Sequence, residues 1–534
     1  MKSVWIICSV IFLLTAELTH SQNVVLDSSN LPIIVIKTFG QVIKDDPRIN
    51  VFMGIIDNGS GMMNHVTDPF NNFSGKVSIE IRGSTSQYYP KKSYAFTPLD
   101  SAENNMEASI LGFPEETDWI LYAPYPDKTL MRNTLAYYLF NRMGHYTSRT
   151  HFAELILNED YIGVYELHEK VKQDDNRVNI AKLTTADTTG DDLTGGYIVK
   201  IDKTTGSGDE TWTSSFDNEV FFQYHDPEDE NMLEIQKEYI QHYVNLFETA
   251  LNGPVFTDPD SGFRKYADEN SLIDFLLLEE LGRTVDGYRS SCFFYKDKDS
   301  NGGKLTLGPA WDYNLSFGNA NYCDSWLTTG WHYDFNSICT GFYPHVPFWW
   351  QRLVEDPAFN DNLQCRWKMF RQNFLSDDSV NLWIDTQALL LENAQERNFE
   401  KWDILGEYVD WNYFIGENYE EEVGYMKSWI SDRLLWMDQH LPGTCITTQA
   451  AAGENNTLSL MVYPNPASSI CTFKIENPQH NTSLTIFNSL GQRVYFSVID
   501  GSLLEVKVSG WTKGFYQFFL ESGGKIKSGI LVVE

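Results

Sequence analysis

Basic residues are scarce in this 534-residue sequence: 40 Lys and Arg stand against 73 Asp and Glu, a formal charge of −33 at pH 7. Binders of nucleic acid or of anionic membranes need a basic face, so this balance argues against both. Acidity of this kind is the ordinary state of a solvated surface, and it also suits divalent cations. Long apolar runs are nearly absent too. The one present, residues 4–16, follows Lys2 and precedes the small residues Thr19 and Ser21, as a signal peptidase requires. Residues 1–22 therefore read as a signal peptide. The run is too short for a stable membrane anchor, and Asp274 interrupts the next most apolar stretch, 272–278. A soluble, exported mature protein without a transmembrane segment is expected. There is no P-loop, no GxSxG elbow and no HExxH helix, and His65, His145 and His168 have no metal-ligand spacing. The cysteines beyond Cys8 are widely spaced and match no zinc motif; in an oxidising compartment they suit disulfides, with Cys323 and Cys339 the first pair expected.

The length leaves room for several domains. A helical segment at 425–441 stops at Pro442-Gly443, and 446–457 is small, polar and featureless, the composition of a linker. Residues 458–534 then read as seven short strands with turns between them, a small all-β sandwich. The central region, 30–445, is mixed. Residues 74–84 and 91–99 alternate as paired strands, and 127–144 reads as a helix with Asp127 at its start and Gly144 past its end. Residues 152–171 read as a hairpin turning at 158–160, 195–202 as a strand, and 231–251 and 271–282 as helices. Strands precede helices, so the class is α+β.

The stretch 271–318 carries the chemistry. A helix ends at Gly282, a polar loop brings Asp286, a hairpin spans 290–308, and a turn brings Asp312 before Gly318. A hairpin between two loops returns both to one end of the strands, so the two carboxylates face a common cleft. Upstream, Lys91 and Lys92 follow the turn RGSTSQYYP, and a fixed lysine beside aromatic residues suits phosphate binding.

Two family resemblances rest on these residues. The segments VYPNPAS (462–468), SLTIFNSLGQRVY (483–495), VSGWTKGFYQFFL (508–520) and KSGILVVE (527–534) resemble the C-terminal sorting domain of type IX secretion. This resemblance implies the type IX machinery as a partner and delivery to the cell surface or medium. The segments IRGSTSQYYPKKSYAF (81–96), DKTLMRNTLAYYLFNRMG (127–144), LILNEDYIGVYELHEKV (155–171), GGYIVKID (195–202), ELGRTVDGYRSSCFFYKD (280–297) and LGPAWDYNLSFGN (307–319) resemble the CotH family of atypical kinases. That resemblance implies a divergent protein-kinase-like fold and transfer of phosphate from ATP, with Mg²⁺ or Mn²⁺, to Ser or Thr of an exported protein. It implies Asp286 as the catalytic-loop aspartate, Asp312 as the metal ligand, Lys91 or Lys92 as the phosphate lysine, Arg82 as a phosphate-seating residue, and Glu169 as the lysine's acidic partner or a hinge residue. Asn314 stands where the family often has a second Asp, and its carbonyl can still serve a metal. Ser290-Ser291 stands where some members carry His-Asn.

Plainer readings stand beside these. Loop aspartates usually cap turns, and paired lysines usually sit on solvated edge strands. Arg132 suits a structural ion pair. DKDSNG (297–302) begins like a calcium loop, but Gly308 stands at its twelfth position and strands flank it, so it reads as a hairpin turn. The aromatic stretch 326–350 reads as core, with sugar stacking the alternative. For the whole protein, the rivals to a kinase are a non-catalytic surface or adhesion protein and a carbohydrate-binding or carbohydrate-active protein.

Overall fold

The computed structural model describes residues 24–204, 210–445, 459–476, 482–487, 493–499, 501–522 and 525–533. The expected signal peptide and linker lie outside the described residues. The chain divides into two compact units, one running to Thr444 apart from 371–373, the other made of those three residues and the chain from Cys445 on.

The first unit opens with strands β1 (Ser28–Ser29), β2 (Ile33–Lys37), β3 (Ile49–Ile56), β4 (Asn64–His65), β5 (Phe73–Arg82), β6 (Ser93–Leu99) and β7 (Trp119–Tyr122). Helix α1 (Arg132–Arg142) follows, then the hairpin β8 (Thr150–Leu157) and β9 (Asp160–Glu169). Strands β2-β3-β5-β6-β7-β9-β8 close into a barrel, with β2 and β8 parallel and the other pairs antiparallel. Period-two alternation fills its interior: Val51, Met53 and Ile55 from β3 meet Val77 and Ile79 from β5 and Phe96 from β6.

Next come β10 (Tyr197–Ile201), β11 (Thr211–Thr213) and β12 (Phe221–Asp226), helices α2 (Glu234–Asn252) and α3 (Glu269–Gly282), and the hairpin β13 (Cys292–Lys296) and β14 (Leu305–Leu307). These strands form one sheet in the order β11-β12-β10-β13-β14. Helices α4 (Phe335–Ile338), α5 (Trp349–Leu353), α6 (Pro357–Arg371), α7 (Asp377–Lys401) and α8 (Tyr419–His440) complete the unit. Its helical core buries α3 almost entirely and includes Trp349, Trp350 and Trp367. The region is thus mixed helix and sheet, with its helices concentrated late. No helix among the described residues is long and apolar enough to cross a membrane.

The second unit contains β15 (Ser459–Tyr463), β16 (Ile470–Glu476), β17 (Thr482–Phe487), β18 (Arg493–Ile499), β19 (Leu503–Lys507), β20 (Gly514–Ser522) and β21 (Lys525–Val533). Sheets β15-β16-β19 and β18-β17-β20-β21 share a core of Phe473, Ile475, Leu484, Ile486, Phe518 and Leu531, an all-β arrangement.

Local details refine the sequence reading. Helix α1 starts at Arg132 rather than beside Asp127, because Leu130 takes φ +62° and breaks the helical path. Asp127 still serves the helix: its carboxylate accepts the Arg132 amide at 2.8 Å and pairs with the Arg132 guanidinium, both side chains being buried. The 297–302 segment is a hairpin turn whose carboxylates are committed within the protein, Asp299 to Lys296 and Asp297 to the Ala181 amide. The aromatic stretch is mainly core, with Phe335, Trp349 and Trp350 buried and Phe342 and Tyr343 exposed. The Cys323–Cys339 disulfide ties it together.

Candidate functional site

Helix α3 ends with Arg283 in the left-handed conformation, φ 44°. The Arg283 guanidinium donates to the carbonyls of Thr329, Gly330 and Asp324, which fixes the loop behind it. Asp286 lies on that loop; its carbonyl accepts the Ser290 amide at 2.8 Å, and its carboxylate sits 3.3 Å from the Arg289 guanidinium. One third of the Asp286 side chain remains open to solvent. The chain then runs through β13 and β14, paired in register Phe294↔Leu307, and returns at Asp312.

Asp312 takes φ +65°, a left-handed conformation that a non-glycine residue adopts only when its surroundings impose it. Those surroundings come from α1: the Asp312 amide donates to the Tyr137 hydroxyl at 3.2 Å, and the Tyr313 amide to Asn133 Oδ1 at 2.7 Å. The Asp312 carboxyl is pushed up to about 6, first by burial and next by the negative charge of Asp286; Arg82 opposes the rise, Asp202 adds to it and Lys203 opposes it again. The two predicted aspartates therefore come within electrostatic reach of each other at one end of the hairpin.

Arg82 joins them. It ends β5, its guanidinium lies 5.8 Å over the Trp311 ring, and its charge acts on Asp312. Burial lowers its pKa. Among the described residues its guanidinium makes no hydrogen bond or ion pair, so its donors are uncommitted.

The two lysines are differently placed. Lys91 is buried: Nζ donates to the Val164 carbonyl at 2.6 Å and to Asn398 Oδ1 at 2.8 Å, and lies over the Tyr165 ring. Gly163 makes the room, since at φ +103° a Cβ there would lie 2.6 Å from Asn398 Oδ1. Burial drives the Lys91 ammonium down to about 7, against the opposing charge of Glu166. Lys92 donates to the carbonyls of Gln87 and Tyr89 and so holds the turn that follows Arg82. Glu169 is held by Arg149, whose guanidinium donates at 2.7 Å, and by the Tyr146 hydroxyl. The carboxylate acting on Lys91 is instead Glu166, which accepts from Thr134 and sits 2.7 Å from His168 Nε2. Burial raises the Glu166 carboxyl well above its ordinary range and lowers His168 to about 3.

Two cleft residues escaped the sequence reading. Asp202, just past β10, is raised first by burial; the Lys203 amide donates to it at 2.9 Å, and the nearby Ser291 amide opposes the rise, which sets the end of β10 beside the Asp286 loop. Lys203 Nζ reaches Thr85 Oγ1 at 3.3 Å, linking the sheet to the turn after Arg82. A polar pair ending a strand beside the 271–318 stretch was the available signal, but their partners lie far along the chain.

A metal fits this donor set in one manner. Among the described residues no group of three or more His, Cys, Asp or Glu converges to cage an ion. Asp312 and Asn314 make no side-chain hydrogen bond within the described residues, and a carboxylate with an amide carbonyl suits Mg²⁺ that keeps water and phosphate oxygens as its other ligands.

Two family models match the chain. The CotH kinase protein model matches residues 79–437, from within β5 to within α8, and the secretion system C-terminal sorting domain model matches residues 461–534. No curated protein matches it.

Proposed function

The chain belongs to the CotH family, and on that premise we propose that its central domain transfers the terminal phosphoryl group of Mg²⁺-ATP to a Ser or Thr hydroxyl of an exported protein. The sorting domain implies export by the type IX machinery to the cell surface or beyond. The observation that carries the reading is the convergence of Asp286, Asp312 and an unpaired Arg82 at one end of the β13–β14 hairpin. The element order of a helix, an Asp loop, a hairpin and a second Asp loop follows the lower-lobe plan of protein kinases.

In this reading Asp286, whose side chain is one third open to solvent, receives the acceptor hydroxyl and orients it, with Arg289 holding its carboxylate. Asp312 and Asn314 hold the metal. Arg82 takes the phosphate role expected of Lys91 or Lys92, because both lysines are occupied by carbonyls of their own chain. The bound Mg²⁺-ATP supplies the phosphoryl group and the charge that neutralises it. Tyr137 and Asn133 fix the backbone that aims Asp312, and Lys203, reaching the turn after Arg82, adds a second cation.

The test is a radiolabelled-ATP transfer assay on the full chain with Mg²⁺ or Mn²⁺, run beside a thermal shift. Wild type should incorporate label, and Asp286→Ala and Asp312→Ala should each lose at least about a hundredfold of it, the usual scale for a group acting in the transition state. Arg82→Ala should weaken the nucleotide-dependent thermal shift, whereas Lys91→Met should leave it. A folded wild type that is stabilised by Mg²⁺-ATP without transferring label would favour a non-catalytic binding protein, the reading to which Asn314 and Ser290-Ser291 lend weight.

A further inference from the structure

A second concave site lies on the sheet edge. A cavity of about 610 Å³ opens between edge strand β11 and helix α2, within the size range of small-molecule sites. None of Arg82, Asp202, Asp286 or Asp312 lines it. One wall is Trp212, whose ring packs at 4.7 Å from Tyr224 and 5.3 Å from Phe222 and is thereby held in one orientation. The other is one face of α2, where Glu238, Gln241, His242, Asn245 and Glu248 recur at three- and four-residue spacing.

These side chains differ in their freedom. Gln241 donates to the Tyr224 hydroxyl at 2.6 Å, and Glu248 accepts from Ser214 Oγ and Trp349 Nε1, so both are fixed parts of the wall. Glu238, His242 and Asn245 make no hydrogen bond or ion pair among the described residues. Between them they offer a carboxylate, an imidazole and an amide, both donors and acceptors, facing a rigid indole.

The lining chemistry narrows the ligand. No Lys or Arg lines the cavity and two carboxylates do, which disfavours phosphates and other anions. A hydrocarbon ligand would strip water from Glu238 and His242 without replacing it. A pyranose matches both walls. Its C–H face carries the slight positive charge that an indole face attracts, and its hydroxyls both donate and accept. We propose that this cavity binds a neutral saccharide, stacked on Trp212 and read through its hydroxyls by Glu238, His242 and Asn245. The proposal stands independently of the phosphotransfer reading.

Saturation-transfer NMR on the full chain tests it, with the methyl glycosides of glucose, galactose, mannose and N-acetylglucosamine as probes and N-acetyl-lysine methylamide as a cationic control. At least one sugar should receive saturation, mostly on the protons of one ring face. Trp212→Ala should weaken that binding at least about tenfold, a loss of about 1.4 kcal/mol. His242→Ala and Asn245→Ala, on the open face of α2, should weaken it without disturbing the fold, so the test survives if Trp212→Ala does not fold. The thermal shift with Mg²⁺-ATP should be unchanged in all three. Absence of transfer to every sugar, transfer that persists in His242→Ala and Asn245→Ala, or binding of the lysine control in place of the sugars would each overturn the proposal.

Discussion

Replacing Lys91 with Met should change how stability depends on pH, and the size of the change follows from where the ammonium sits. Lys91 is 2% exposed, and its pKa falls from the ordinary 10.5 to about 7, with burial the first cause and Glu166 opposing. Between those two values the unfolded chain holds a proton that the native chain does not, so raising the pH favours the native state. The stabilisation is complete above about 10.5 and is lost as the pH falls through about 7. From pH 7 to pH 10 the limiting gain is about 4 kcal/mol, at about 1.4 kcal/mol per pH unit. The Val164 carbonyl and Asn398 Oδ1 accept from the ammonium and from the neutral amine alike, since an amine keeps two N–H groups and there are two acceptors. Their preference for the stronger donor trims the gain to about 2–4 kcal/mol. Lys91→Met also leaves the Val164 carbonyl unpaired, while Asn398 Oδ1 keeps the Val164 amide at 3.1 Å; the lost partner costs about 1–3 kcal/mol at every pH. The assay is urea denaturation of wild type and Lys91→Met at several pH values from 7 to 10. Titrating groups that do not interact with Lys91 cancel in the difference, leaving an offset with a slope in favour of wild type as pH rises. A difference that stays flat across the range, or that turns against wild type, would refute the account of a buried, neutralising lysine.

Two further outcomes test the scaffold. Asp127→Ala should destabilise the first unit by about 3–5 kcal/mol in the same denaturation assay, because it strands the Arg132 guanidinium, 1% exposed, without its partner. The double substitution Cys323→Ser with Cys339→Ser releases a 16-residue separation and should cost about 3 kcal/mol, read as a lowered thermal midpoint under non-reducing conditions.

Much of the architecture was legible because periodicity and punctuation agree with burial. The 74–84 and 91–99 segments alternate and pair as β5 and β6, the 152–171 hairpin turns at Asn158-Glu159, and each of the seven C-terminal segments became one strand. The nearness of Asp286 and Asp312 in the candidate site was legible, because a hairpin between two loops returns both loops to one end of the strands. The site was not legible in its lysines. By strand alternation Lys92 would share a face with Tyr94 and Phe96, but β6 begins only at Ser93, so the pattern does not reach back to the lysine pair. There the side chain taken into the interior is that of Lys91. Glu169 and Glu166 could not be told apart for a related reason: β9 is buried on both faces, so alternation carries no information there. Asp202 and Lys203 act through Ser291 and Thr85, and only the folded sheet brings those residues to them.

The cleft's own charges explain why a nucleotide would enter with a metal rather than alone. Asp202 and Asp286 both act on the buried Asp312, and the opposing cations are Arg82 and Lys203, with Lys200 held 3.7 Å from Asp202. A bare polyphosphate brought against three carboxylates would meet repulsion that two or three cations offset only in part, and the low local dielectric enlarges that imbalance. In the proposed reading, a divalent cation held by Asp312 would turn these carboxylates from a barrier into ligands, and it would do so without a cage of three protein donors. Asn314 then has a specific consequence. In the proposed reading, an amide in place of a second carboxylate would lower the negative charge at the metal and weaken ion binding before nucleotide arrives. Metal and nucleotide would then bind as one unit, each supplying what the other lacks.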